Sequence, residues 1–192
     1  MTTSRRPRAD ARRNYERLLA AADAAFSEGG VTASLEGVAR RAGVAIGTLY
    51  GHFPNRRALV GALLRDRNER LFQLGDRLLA QRSPDALATW VHAVTEHAAT
   101  YGGLAVMLAD GLDDDASELH ASCLRMADIG EQLVAYARES GTLRQDATGA
   151  DVTTLTTAAA SLYEHLSPAA ADRLITLTLA GLAPHPSSGH MP

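Results

Sequence analysis

The chain has 192 residues, 46% of them hydrophobic, enough to bury a core in one compact unit or two small ones. No uncharged apolar run reaches the roughly 18 residues of a membrane span, the N-terminal segment has no apolar signal core behind Arg5-Arg6, and the single Cys123 excludes an intrachain disulfide and fits a reducing cytoplasm. The net charge of −3 conceals an asymmetry: residues 1–82 hold 15 Arg and 8 acidic residues, a balance of +7, and residues 83–192 hold 4 Arg and 14 acidic residues, a balance of −10. An anionic partner for the first part alone is implied, with nucleic acid foremost.

Ala and Leu dominate and the alternation of strands is missing, so the expected fold is all-α, with about nine helices. The first helix is predicted from about Ala9 to Glu28, with Tyr15, Leu18, Leu19, Ala22 and Phe26 as its buried stripe and Gly29-Gly30 as its end. Ser34 is a candidate N-cap for a second helix, in which Leu35, Val38, Ala39 and Ala42 recur at the spacing of one buried face. Gly43 supplies the permissive backbone for a sharp turn at Ala42-Gly43-Val44. A third helix covers about Ala45 to His52, with Leu49 and Phe53 turned to the core, and Pro54 stops it. Asn55 can cap a long fourth helix reaching Arg82, with Leu59, Leu63, Leu71, Leu74 and Leu78 on one side.

Ser83-Pro84 signals the start of a fifth helix, whose face carries Leu87, Trp90, Val91, Val94 and Tyr101 up to the break at Gly102-Gly103. A short helix at about Leu104 to Ala109 precedes the acidic Asp113-Asp114-Asp115, read as a solvated loop. The seventh helix spans about Ala116 to Glu139, the eighth about Ala150 to His165, and Ser167-Pro168 opens a ninth ending near Gly181. Residues 1–54 are expected to form a three-helix DNA-binding domain, residues 55–182 a helical ligand-binding and dimerisation domain, and residues 183–192 a flexible tail.

Two short helices around a tight turn in a basic segment are a helix–turn–helix, whose second helix enters the DNA major groove. The stretch SLEGVARRAGVAIGTLYGHFPNRRALV closely resembles the helix–turn–helix and fourth-helix start of the TetR family of bacterial transcription regulators. The Gly-Thr-Leu-Tyr core followed by His-Phe-Pro carries the resemblance, and LLAAADAAFSEGGV resembles the family's first helix. ALATWVHAVTEHAATYGGLAVML is similar to the SbtR-like subclass of C-terminal domains. The resemblance implies a homodimer on a palindromic operator and a C-terminal domain whose small-molecule effector releases the DNA.

Carried over by position, it points to Ser34, Ala45, Gly47, Thr48, Tyr50, His52 and Arg56 as DNA contacts. Ser34 can offer its hydroxyl to a phosphate or simply cap its helix. Thr48 suits a base edge or a thymine methyl, Gly47 allows close backbone approach, and Arg56 is expected to clamp a phosphate. Ala45 and Ile46 are apolar where many members are polar, so specificity can lean on DNA shape or on Arg40 and Arg41. The arm Arg5, Arg6, Arg8, Arg12 and Arg13 can enter the minor groove, touch phosphates or stay solvated.

An effector pocket between the fourth and seventh helices would be lined by Phe72, Trp90, Val94, His97, Tyr101, Leu104, Met107, Cys123 and Met126, a set that equally suits plain core. It implies a mainly apolar or aromatic ligand, with His97 and Tyr101 as its polar groups. The eighth and ninth helices are apolar on more than one side, which predicts a two-fold dimer surface through Leu155, Ala159, Leu162, Tyr163, Leu174 and Leu177. His92 with His97 and His120 with Cys123 do not close a metal site. No G-x-S-x-G, P-loop or dinucleotide fingerprint occurs, so no catalytic residue, cofactor or metal is expected. The first reading is a cytoplasmic repressor; an effector-independent or activating regulator and an all-α ligand-binding enzyme are the alternatives.

Overall fold

The computed structural model describes residues 5–109 and 118–184. Nine helices and no strand occur among them: α1 (Arg5–Gly29), α2 (Leu35–Ala42), α3 (Ile46–His52), α4 (Arg56–Gln81), α5 (Ala86–Ala98), α6 (Leu104–Ala109), α7 (Glu118–Glu139), α8 (Gly149–His165) and α9 (Pro168–Gly181). The acidic run Asp113 to Asp115, the expected helix start at Ala116 and the tail from residue 185 lie outside the described residues. Helix α1 begins four residues before the expected Ala9, because Pro7 sits in its first turn, where a missing amide hydrogen costs nothing. Among the described residues no helix is long and apolar enough to cross a membrane.

The chain divides into two compact units. The first comprises, among described residues, 5–68, 100–109 and 118–122. Its core is built on the predicted stripe of α1, with Leu18, Ala22 and Phe26 fully buried, and on Val38, Leu49, Leu59 and Leu64 from the next three helices. The connection after α5 belongs to this unit. Helix α5 ends at Ala98, so Tyr101 lies in the bend beyond it, not on its face as the periodicity suggests. The Val31 N–H donates to the Gly102 carbonyl (2.8 Å) and the Leu104 N–H to the Tyr101 carbonyl (2.9 Å), which takes the backbone off the helical path. A Cβ at Gly30 would stand 2.5 Å from the Gly102 oxygen, so this backbone crossing requires glycine.

The second unit comprises residues 69–99 and 123–184 of the described chain. Trp90 is its centre, 2% exposed, with the edge of its indole against α4 at Gly75 and α7 at Gly130. Helix α8 starts at Gly149 through a capping box: Thr148 Oγ1 accepts the Asp151 N–H (3.2 Å), and the Asp151 carboxylate accepts the Thr148 N–H (2.8 Å). Ser167 caps α9 by accepting the Ala170 N–H (3.2 Å), with Pro168 in the first turn as expected.

Candidate nucleic-acid interface

Local chemistry fixes each piece of the α2–turn–α3 segment. Ser34 is extended (φ −64°, ψ 127°), and its Oγ accepts the Gly37 N–H at 3.2 Å, which satisfies one of the open amides of α2. Its hydroxyl donates to the Glu36 carboxylate (2.8 Å), and that bond holds the carboxyl below the usual range. At the other end Gly43 adopts φ +64°; its N–H reaches the Arg40 carbonyl (3.0 Å), and the Val44 N–H reaches Ala39 (3.0 Å). This is a Schellman arrangement, which terminates α2 and sets the direction of α3. Arg17 of α1 locks the turn from behind: its guanidinium donates to the Ala42 carbonyl and to the Gly43 carbonyl (3.1 Å).

Helix α3 is held by Leu49 (0% exposed), with Phe53 buried just beyond it, and by half-buried Ile46. Ile46 therefore packs inward, which explains why an apolar residue serves at that position. The outward face carries Ala45, Gly47, Tyr50 and Gly51, all exposed, with Thr48 at its edge. A Cβ at either Gly47 or Gly51 would meet nothing within 4 Å. Sequence reasoning missed Gly51; the signal was its i, i+4 spacing from Gly47 in a seven-residue helix that two glycines weaken. His52 leans on Tyr15 (ring centroids 5.9 Å apart), so its ring is partly packed inside the unit.

Arg56 opens α4 and faces inward. One guanidinium nitrogen donates to the Val31 and Ala33 carbonyls, both at 2.5 Å, and the group lies 6.0 Å from the centre of the Phe26 ring. The predicted phosphate clamp thus also ties α4 to the α1–α2 loop. Arg41 is exposed and forms a two-point ion pair with Glu28 of α1 (2.8 and 3.0 Å), which raises the guanidinium pKa further. In the N-terminal arm, Arg12 pairs with Glu16 (2.8 Å) and Arg13 with Asp10 on the surface of α1.

The residues expected to line an effector pocket fall in both units. Phe72, Trp90, Val94, His97, Cys123 and Met126 belong to the second, and Tyr101, Leu104 and Met107 to the first. Tyr101 is buried against Phe26, and its hydroxyl donates to Asp23 at 2.6 Å. Burial first, and then that bond, push the phenol well above its ordinary value. Of the expected dimer residues, Leu155 and Ala159 are buried in the second unit's own core. Leu162, Tyr163 and Leu174 are half-buried, and Leu177 is 58% exposed beside Leu166 at 71%. Among the described residues no three His, Cys, Asp or Glu side chains gather into a metal site.

A capped helix, a left-handed turn and an exposed second helix, in a chain that continues as a separate helical unit, define a helix–turn–helix transcriptional regulator. The profile of bacterial regulatory proteins of the tetR family matches residues 18–63, and that of the C-terminal domain of SbtR-like transcriptional regulators matches residues 83–184. The chain belongs to the TetR family. It is 33% identical to a TetR transcriptional regulator from Streptomyces coelicolor, over 90% of this chain and 99% of that one, with a TM-score of 0.59. A TetR regulatory protein from Mycobacterium vanbaalenii is 30% identical over 92% and 99% of the two chains (TM-score 0.50). The ketosteroid regulator KstR2 of Mycobacterium tuberculosis shares the fold (TM-score 0.63) at 22% identity over 89% and 95%. No curated protein sequence matches the chain. This protein is a DNA-binding transcriptional regulator, not an enzyme.

Proposed function

We propose that the chain is a cytoplasmic, homodimeric repressor. It reads a palindromic operator with the outward face of α3 and leaves it when a small, mainly apolar effector binds the helical regulatory part. The observation that carries the reading is the α3 face itself: Gly47, Thr48, Tyr50 and Gly51 stand outward on a helix fixed by Leu49 and Phe53. Ser34, Arg41 and Ala45 add a hydroxyl, a cation and a methyl beside it. The apolar side chains Leu162, Leu166, Leu174 and Leu177 support dimerisation through the outer sides of α8 and α9, with Leu155 and Ala159 backing them from within. Phe72, Trp90, Val94 and Met126 in the second unit support an apolar or aromatic effector.

The test is a titration of a selected duplex with the protein and with Thr48→Ala. Loss of a base contact should cost on the order of 1–3 kcal/mol on that site and relax its preference. Equal binding by both proteins would remove α3 from the groove.

A further inference from the structure

The outer side of α2 bears a depression of about 470 Å³ lined by Glu28, Ser34, Gly37, Arg40 and Arg41. It is basic on its α2 wall and carries one carboxylate, Glu28, on its α1 wall. Both Glu28 oxygens accept from the same Arg41 nitrogen, at 2.8 and 3.0 Å. The two side chains remain 65% and 44% exposed, so the pair is open to exchange with solvent ions. A carboxylate and a phosphate present the same pair of acceptor oxygens to a guanidinium. Next to it, the only hydroxyl of the depression, on Ser34, is also occupied by a carboxylate of its own chain.

We propose that Glu28 is an internal competitor for Arg41: its carboxylate occupies the guanidinium in free protein and is displaced by a backbone phosphate of bound DNA. This rests on the DNA-binding reading above and adds the residue that tunes it. The pair supplies no sequence information, because phosphate contacts position a protein without reading bases. Its effect is to lower affinity for DNA of any sequence, which leaves the base contacts of α3 a larger share of the discrimination. Exchanging one anion for another also changes the ion balance. In the wild-type protein, Arg41 enters the complex already neutralised, so its phosphate contact adds little to counterion release at the protein.

The experiment uses the full chain and a short duplex of arbitrary sequence, titrated across a salt series, for wild type, Glu28→Gln, Arg41→Gln and the double variant. Glu28→Gln keeps the shape and removes the competing charge. It should bind about two- to fivefold tighter at low salt, the range of an exposed ion pair. Its slope of log affinity against log salt should steepen by about 0.9, one extra phosphate neutralised. Both gains should vanish in the double variant, which should match Arg41→Gln. A gain that persists without Arg41 would be a general charge effect and would overturn the proposal, as would an unchanged Glu28→Gln. Absence of DNA binding by all four folded proteins would overturn the DNA-binding reading itself, a result distinct from a failed difference among binders.

Discussion

Replacing Gly47 by Ala should separate the stability of the fold from its hold on DNA. The position lies in the first turn of α3, and an added methyl would meet no heavy atom within 4 Å. Ala is favoured over Gly in a helix by up to about 1 kcal/mol, so the variant should be about 0.5–1 kcal/mol more stable. On DNA the sign reverses. A methyl forced into a close contact between α3 and the duplex carries the cost of overpacking, about 1–3 kcal/mol, or roughly a tenfold to hundredfold loss of affinity. Gly51→Ala, one helical turn further on the same face, should behave alike, with a smaller loss if it sits at the edge of the contact. Urea unfolding gives the first quantity and titration of an operator duplex the second. A stabilised variant that binds DNA with unchanged affinity would show that this face of α3 is not seated against the duplex. A destabilised variant would refute the open surroundings assigned to Gly47.

Four further outcomes follow from the packing. Arg56→Ala should destabilise the first unit by about 2 kcal/mol in urea unfolding, because the Val31 and Ala33 carbonyls lose a charged donor; a change below a few tenths would mean the guanidinium is free to serve DNA alone. Tyr101→Phe should cost about 1–2 kcal/mol at neutral pH through the lost bond to Asp23. The raised phenol pKa means that its stabilisation is complete below about pH 10 and fades above it, so Tyr101→Phe should show a flatter stability profile between about pH 9 and 11. Gly75→Ala should destabilise by about 1–3 kcal/mol, offset in part by helix propensity. Its Cβ would stand 2.7 and 2.9 Å from Ile129 and 3.0 Å from Trp90, so Ile129→Ala in the same chain should cancel much of the cost, a coupling that additive melts would contradict. Charges at both Leu162 and Leu177 should yield monomers by analytical ultracentrifugation; a dimer of unchanged affinity would remove α8 and α9 from the interface.

The parts of this fold that depend on near neighbours in the chain are legible in the sequence. Ser34, Gly43, Ser167 and Pro168 act on residues within a few positions, so the ends of α2 and α9 follow from them. The start of α8 was read one residue late, since the Thr148–Asp151 capping box was not considered. The spacing of Leu35, Val38, Ala39 and Ala42 also fixes one buried face of α2. What escapes such reading is long-range polar pairing. The partners of Arg56 are carbonyls 25 and 23 positions away, and Arg17 reaches carbonyls 25 and 26 positions ahead, so neither shows any local pattern. Tyr101 keeps the period of α5 although the helix has ended, because a bend can carry an apolar residue at a helical interval by coincidence. Leu155 and Leu177 look equivalent as apolar helix residues; only the packing of α8 and α9 separates one at 6% exposure from one at 58%. On α3, the apolar Ile46 read as a weak contact helix, whereas its half-buried position assigns it to packing and leaves the glycines as the outward surface.

Selection of bound sequences from a random duplex pool, followed by titration of the recovered site at two salt concentrations, tests the central claim most directly. The account predicts a palindromic site bound by a dimer, with affinity that falls steeply as salt rises. Failure of the folded protein to enrich any sequence would contradict it.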